Sequence, residues 1–226
     1  MHFLVRGSAV MVLVSIVAVL SGVSAAQASV PWDNPSGSAA FFDWYGGQDS
    51  VGLFGSPTLI GGNAFRFTPS AFRAEAVDGA SNTASDIAEW NVVPHAGYTL
   101  SQLRVIERGD YGITGAGPGN LARTENAVQV IDNMTQMQVN SSGNHEWTVG
   151  AGNWTLDSTL DLSPLYPGAD LHIQIQNDLL AISGGAGNDV FVQKQLLGGI
   201  VDVILIPEPA TVALAFLGLC FLRRRR

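Results

Sequence analysis

Between Ser29 and Ile206 the apolar residues recur with a period of two, and helical periodicity is nearly absent. In the clearest run Leu171, Ile173 and Ile175 share one face, while His172, Gln174 and Gln176 share the other. A strand with one face on a core and one in water has that pattern. Similar runs occur at Ala64–Phe67, Phe72–Val77, Ile87–Val93, Tyr98–Glu107, Ala127–Ile131, Met134–Val139, Trp154–Leu162, Val190–Leu197 and about Gly199–Ile206. Turn-forming clusters separate them, among them Gly61-Gly62-Asn63, Asp78-Gly79, Gly115–Asn120, Ser141–Asn144 and Pro167-Gly168. Gly109-Asp110-Tyr111-Gly112 reads as a further turn, its glycines at positive φ. Roughly ten short strands punctuated in this way predict an all-β, antiparallel two-sheet sandwich, jelly-roll-like, in preference to a closed barrel. Without a fixed-period repeat or an internal linker, residues 29–206 read as one domain.

Both ends have a different character. Arg6 precedes the uncharged apolar stretch Ala9–Val23, and Ala26-Gln27-Ala28 supplies a small-x-small site. Residues 1–28 therefore read as a signal helix that signal peptidase removes before Ser29, the alternative being a retained anchor. At the other end Pro207-Glu208-Pro209 precedes thirteen uncharged residues, Ala210–Leu222, and then Arg223, Arg224, Arg225 and Arg226. As a helix that run spans roughly 20 Å, short of a hydrocarbon core of about 30 Å, so it makes a marginal transmembrane helix. The arginines resist translocation, which places the domain on the far side of the membrane from them.

Pro-Glu-Pro, a short apolar helix and a terminal Arg cluster, in that order, resemble the PEP-CTERM sorting signal of Gram-negative bacteria, matched here over residues 207–226. The resemblance implies that a membrane-embedded exosortase recognises Pro207, Glu208 and Pro209, with Arg223–Arg226 as the stop. It implies an exported protein, transiently anchored in the inner membrane and delivered to the cell envelope, cell surface or extracellular matrix, often in species that make exopolysaccharide. Ala210, where Ser or Thr is commoner, and Cys220 depart slightly from the pattern. An ordinary single-pass anchor is the alternative.

The mean hydropathy of +0.22 belongs largely to these ends. Residues 29–206 hold 18 acidic and six basic side chains, a balance of −12. Such a surface repels phosphate backbones and excludes nucleic acid as a partner. The one cysteine, Cys220, lies in the tail, so the body has neither disulfides nor thiol chemistry and must be held by its core.

Within the body, Phe41-Phe42-Asp43-Trp44-Tyr45 is dense in aromatics. Trp44 and Tyr45 beside acidic groups suit sugar stacking; the competing reading is a first strand with Phe42 and Trp44 in the core. Gly184–Val192 fits one G-G-x-G-x-D-x-U-x nonapeptide, a calcium turn when repeated, and otherwise a Gly-rich hairpin with Asp189 opening a strand. Asp157, Asp161, Asp170 and Asp178 match no EF-hand spacing, and no cofactor is assigned, isolated calcium on the acidic surface being the alternative. His95, His145 and His172 stand in no H-E-x-x-H, and no G-x-S-x-G occurs. The leading expectation is a non-enzymatic exported surface or matrix protein. A carbohydrate-binding module for matrix polysaccharide, calcium-assisted in one version, is the alternative, and a secreted polysaccharide hydrolase using two carboxylates is the third.

Overall fold

A computed structural model describes residues 28–194 and 201–209, all of it strand, turn and loop. Fourteen strands follow in chain order: β1 Val30–Pro31, β2 Gly37–Ser38, β3 Phe42–Asp49, β4 Thr58–Ile60, β5 Ala64–Phe67, β6 Arg73–Val77, β7 Ser81–Pro94, β8 Tyr98–Thr114, β9 Leu121–Asp132, β10 Gln138–Trp147, β11 Gly150–Asp161, β12 Leu171–Ile182, β13 Asp189–Gln193 and β14 Val201–Pro209. They form two antiparallel sheets of seven. The first runs β1-β3-β7-β12-β9-β10 with β2 also on β3; the second runs β4-β5-β14-β8-β13-β6 with β11 also on β8. β8 carries three partners because of its length. β14 pairs with its first half, β13 with its last residues, and β11 along its other edge.

The period-two pattern becomes the sandwich directly. On β12 Leu171, Ile173, Ile175, Leu179 and Ala181 are buried, while Gln176 faces water. An aromatic cluster fills one end of the core, where Trp90 packs 5.4 Å from both Trp32 and Phe65. Phe54 meets Phe67 and Phe72 edge-on at 5.5 Å, an arrangement that suits the ring quadrupoles. Polar residues interrupt the inward phase at several strands, leaving Asp86, Glu107, Asn126 and Asn177 buried together with Lys194.

Some expected turns are strand. Gly109 and Gly112 lie inside β8, in extended conformation rather than at positive φ. Their missing side chains leave room for the rings of Trp154 and Phe191, which would collide with a Cβ. Ser141–Asn144 lie inside β10, and Met134 sits in the turn that precedes it. The turn at Asp78-Gly79 holds, both residues at positive φ. Pro207-Glu208-Pro209 form the last residues of β14, paired with Leu100, Thr99 and Tyr98 beyond a register shift. The folded strand thus runs three residues past Ile206. The N-terminal signal helix and the C-terminal transmembrane helix, with Ala26 and Arg223–Arg226, lie outside the described residues; among those described, no helix is long and apolar enough to cross a membrane.

Candidate functional site

The outward face of the first sheet carries a row of polar side chains at matching register. Gln48 on β3 pairs with Glu89 on β7, Glu89 with Gln174 on β12, Gln174 with Gln129 on β9, and Gln129 with Asn140 on β10. Because the side-chain period is two, all five project from the same side of the sheet. Four inter-strand steps make the row about 19 Å long. Alongside it runs Gln176, Ala127 and Ser142, also in register. The small side chains at Ala127 and Ser142 leave a depression of about 410 Å³, lined by them with Gln129, Asn140, Gln174 and Gln176.

Some members of the row are internally committed and others are not. Gln48 Nε2 donates to Glu89 Oε1 at 2.5 Å, and Gln129 Nε2 donates to Gln138 Oε1 at 3.0 Å. Gln176 Nε2 donates to Asp178 Oδ2 at 2.9 Å. Among the described residues, the side-chain amides of Gln174 and Asn140 have no hydrogen-bond partner. An amide offers two donors and an acceptor in one plane, so these two present unspent capacity of both kinds over the depression. Its immediate lining bears no charge.

Tyr45 occupies the next register row, opposite Asn91 and in line with His172. A bulge at Gly46-Gly47 lets both Tyr45 and Gln48 face outward; Gly46 takes φ +69°, a conformation glycine reaches without strain. The Tyr45 hydroxyl donates to Asp170 Oδ2 at 2.6 Å, and that acceptor raises its pKa. His172 Nδ1 lies 3.3 Å from Asn91 Oδ1, and its Nε2 lies 3.7 Å from Glu89 Oε2. Tyr45 is the exposed aromatic of this face. Trp44, its neighbour in sequence, points the other way, edge-on to Phe65 at 5.5 Å, in a separate cleft of about 370 Å³ between the sheets. The structure therefore does not bring Trp44 and Tyr45 into one site. Nor does an aromatic stripe exist on this face, since Trp32, Trp90 and Trp154 are buried and Trp147 stacks on Tyr111 at 4.2 Å.

The remaining candidates are structural in place. Gly184–Asn188 lie in the crossover from β12 to β13, which links the two sheets, and Asp189 opens β13; Asn188 Oδ1 accepts from Gly117 N at 3.1 Å, and Gly187 N donates to Asp78 Oδ1 at 2.7 Å. Asp157 pairs with Arg104 through two hydrogen bonds, which lower its pKa. Asp161 caps Ser163 N at 2.9 Å. His95 Nε2 lies 3.0 Å from Asp43 Oδ1, whose pKa is lowered first by Ser38 and then by His95. His145 Nε2 lies 3.1 Å from Thr155 O. No group of three or more His, Cys, Asp or Glu side chains is placed to hold a metal ion among the described residues. The amide row itself was legible as the polar phase of β12 and β9, but its assembly across five strands depends on register.

No protein-family model matches the chain. No curated protein matches it either. Among solved structures it is similar to the module TmCBM61 in complex with β-1,4-galactotriose, at 15% identity over 80% of this chain and 100% of that one, TM-score 0.26. It is also similar to a CBM4 module, at 11% identity over 73% of this chain and 87% of that one, TM-score 0.23. A third is a cyclase from Fischerella sp. TAU, at 13% identity over 81% of this chain and 98% of that one, TM-score 0.23.

Proposed function

We propose that the domain is a binding module for a neutral, hydroxyl-rich polysaccharide, taken along the outward face of the first sheet. The observation that carries this reading is the uncharged depression whose Gln174 and Asn140 amides are unspent. Sugar hydroxyls donate and accept at once, and side-chain amides answer both needs without the desolvation cost of a charge. The row matches the length of a short oligosaccharide, and Tyr45 gives the next row an apolar ring held by Asp170. The surrounding surface is acidic, which disfavours anionic polymers. Titrating the purified chain against neutral and acidic polysaccharides tests this. Saturable binding to a neutral glycan that weakens in a Gln174→Ala/Asn140→Ala variant is expected; binding that ignores both substitutions sinks the proposal.

The tail supports a second, compatible reading: that the module is exported and sorted through Pro207–Arg226. Its support is the order of Pro-Glu-Pro, apolar run and Arg cluster. Changing Pro207, Glu208 and Pro209 to Ala in the native host should block C-terminal processing; unchanged processing and location would reject it.

A further inference from the structure

The chain has a single lysine, Lys194, and it is completely buried. A residue type that almost always seeks water is here used once, in the core. It follows the end of β13 in the second sheet, where its backbone N–H donates to Phe72 O at 2.9 Å. Its Nζ contacts Glu107 Oε2 and Asn177 Oδ1. Glu107 comes from β8 of the second sheet and Asn177 from β12 of the first, and both are fully buried. The other oxygen of Glu107, Oε1, accepts from Asn177 Nδ2 at 3.1 Å and from Asn126 Nδ2 at 3.3 Å. The rings of Trp154 and Phe72 lie 5.4 Å and 5.5 Å from Nζ.

We propose that Lys194 and Asn177 join in an intramolecular isopeptide bond across the core, with Glu107 as the proton-transfer catalyst. One carboxyl oxygen stands at the attacking amine and the other at the amide nitrogen that must leave, which is the geometry a proton relay needs. The Lys194 ammonium gives a proton to Glu107 Oε2, and the neutral Nζ adds to Asn177 Cγ. The tetrahedral adduct collapses as Nδ2 takes up, through Glu107, both protons that the Lys194 nitrogen has shed, and departs as ammonium. One C–N bond forms, one breaks, and Glu107 returns to its starting state. Nothing is oxidised or reduced, and no co-reactant is required.

The surroundings favour each step. Burial away from water lowers the Lys194 pKa, opposed by Glu107, which makes the free amine accessible as a nucleophile. Strand pairing and packing hold amine and amide in contact, replacing a bimolecular encounter by a preorganised one. Water, the competing nucleophile, is excluded, since all three side chains have no solvent exposure. The bond would tie the two sheets together, closing a covalent ring through the Gly-rich crossover.

Peptide mapping of the denatured full chain tests this. Arg123 is the last tryptic site before Lys194. Trypsin should therefore release a peptide that begins at Thr124, runs uncut through Lys194 and weighs one ammonia less than its sequence. Fragmentation should place the link between Asn177 and Lys194. Cleavage after Lys194 with a peptide of full mass overturns the proposal. So does a loss of ammonia with Lys194 still cleavable, the sign of a succinimide at Asn177-Asp178. Glu107→Gln keeps the shape but cannot relay the proton, and should restore cleavage after Lys194; a persisting link in that variant overturns the role of Glu107. The map of the unsubstituted chain decides the bond itself even where that variant does not fold.

Discussion

β12 and β9 each place amides on both faces, and the two sets live in opposite environments. Outside, Gln174 and Gln129 stand in water over a shallow depression, with hydrogen-bonding capacity to offer a partner. Inside, Asn177 and Asn126 converge on one buried carboxylate. The same functional group exchanges partners freely on the wet face, where replacing it costs little. On the dry face each bond must be satisfied internally, because an unpaired amide or charge carries its whole desolvation cost. Recognition suits the first setting, and a permanent structural or covalent role suits the second. Substitutions on the two faces should separate accordingly.

The largest effect is expected at the buried cluster. Glu107→Ala prevents the link, strands the Lys194 ammonium without a counter-charge and removes the acceptor of two amides, and should lower the unfolding free energy by about 3–5 kcal/mol. Urea denaturation followed by tryptophan fluorescence measures it. Replacing Lys194 by Met together with Glu107 by Leu should recover part of that loss, because it removes both charges rather than stranding one, while the link and the acceptor of Asn126 and Asn177 stay absent. A Glu107→Ala variant as stable as the unsubstituted protein would erase the contrast between the faces.

These two settings were unequally visible before folding. The outward amides follow from phase alone, since Gln174 and Gln176 alternate with Ile173 and Ile175. The inward cluster left a weaker trace: Asn177 falls where the series Leu171, Ile173, Ile175 predicts an apolar residue, and Glu107 likewise follows Leu103 and Val105. Those breaks in phase show that something polar is buried, but not that three such positions from two sheets meet at the lone lysine. Strand order decides that, and alternation carries no information about strand order. Glycine misled for a related reason. Gly109 and Gly112 read as turn residues locally, whereas the need they answer is a distant one, room for Trp154 and Phe191. Pro207 and Pro209 likewise read locally as the end of the domain, yet β8 supplies a partner that carries the strand through them.

Asp49 extends the comparison to a group that titrates. It ends β3 on the inward phase, where its Oδ1 accepts from Trp32 Nε1 and its Oδ2 from Gly55 N, both at 2.8 Å. Burial pushes its pKa from 3.8 up to about 7, against the opposing hydrogen bond from Trp32. A folded pKa above the unfolded one means that the fold favours the protonated form. Its contribution is thus full below pH 4 and is lost as pH rises towards 7. Stability should fall by roughly 2–4 kcal/mol across that window on account of this group. Urea midpoints at pH 4.5 and pH 7.5 measure the fall, and Asp49→Asn should flatten it. A stability that instead rises over the same interval in the unsubstituted chain, with no change on Asp49→Asn, would show Asp49 to be ionised throughout.

The smallest effects on stability belong to the wet face, and their smallness is itself diagnostic. Gln174→Ala and Asn140→Ala remove side chains that hold no intramolecular hydrogen bond among the described residues, so each should change the unfolding free energy by no more than about 0.5 kcal/mol. Under the proposed function each amide would contribute hydrogen bonds to a bound glycan, worth about 1 kcal/mol apiece, so affinity should drop roughly fivefold per substitution. Tyr45→Phe probes the neighbouring row. It keeps the apolar ring but frees Asp170 to solvent, and should weaken binding less than Tyr45→Ala does. Isothermal titration with a neutral oligosaccharide, run beside thermal unfolding of each variant, separates the two quantities. A loss of stability with unchanged affinity would mean that the amide row supports the sheet rather than a ligand. Lost affinity at unchanged stability is the result the geometry predicts, because none of the described residues spends those two amides.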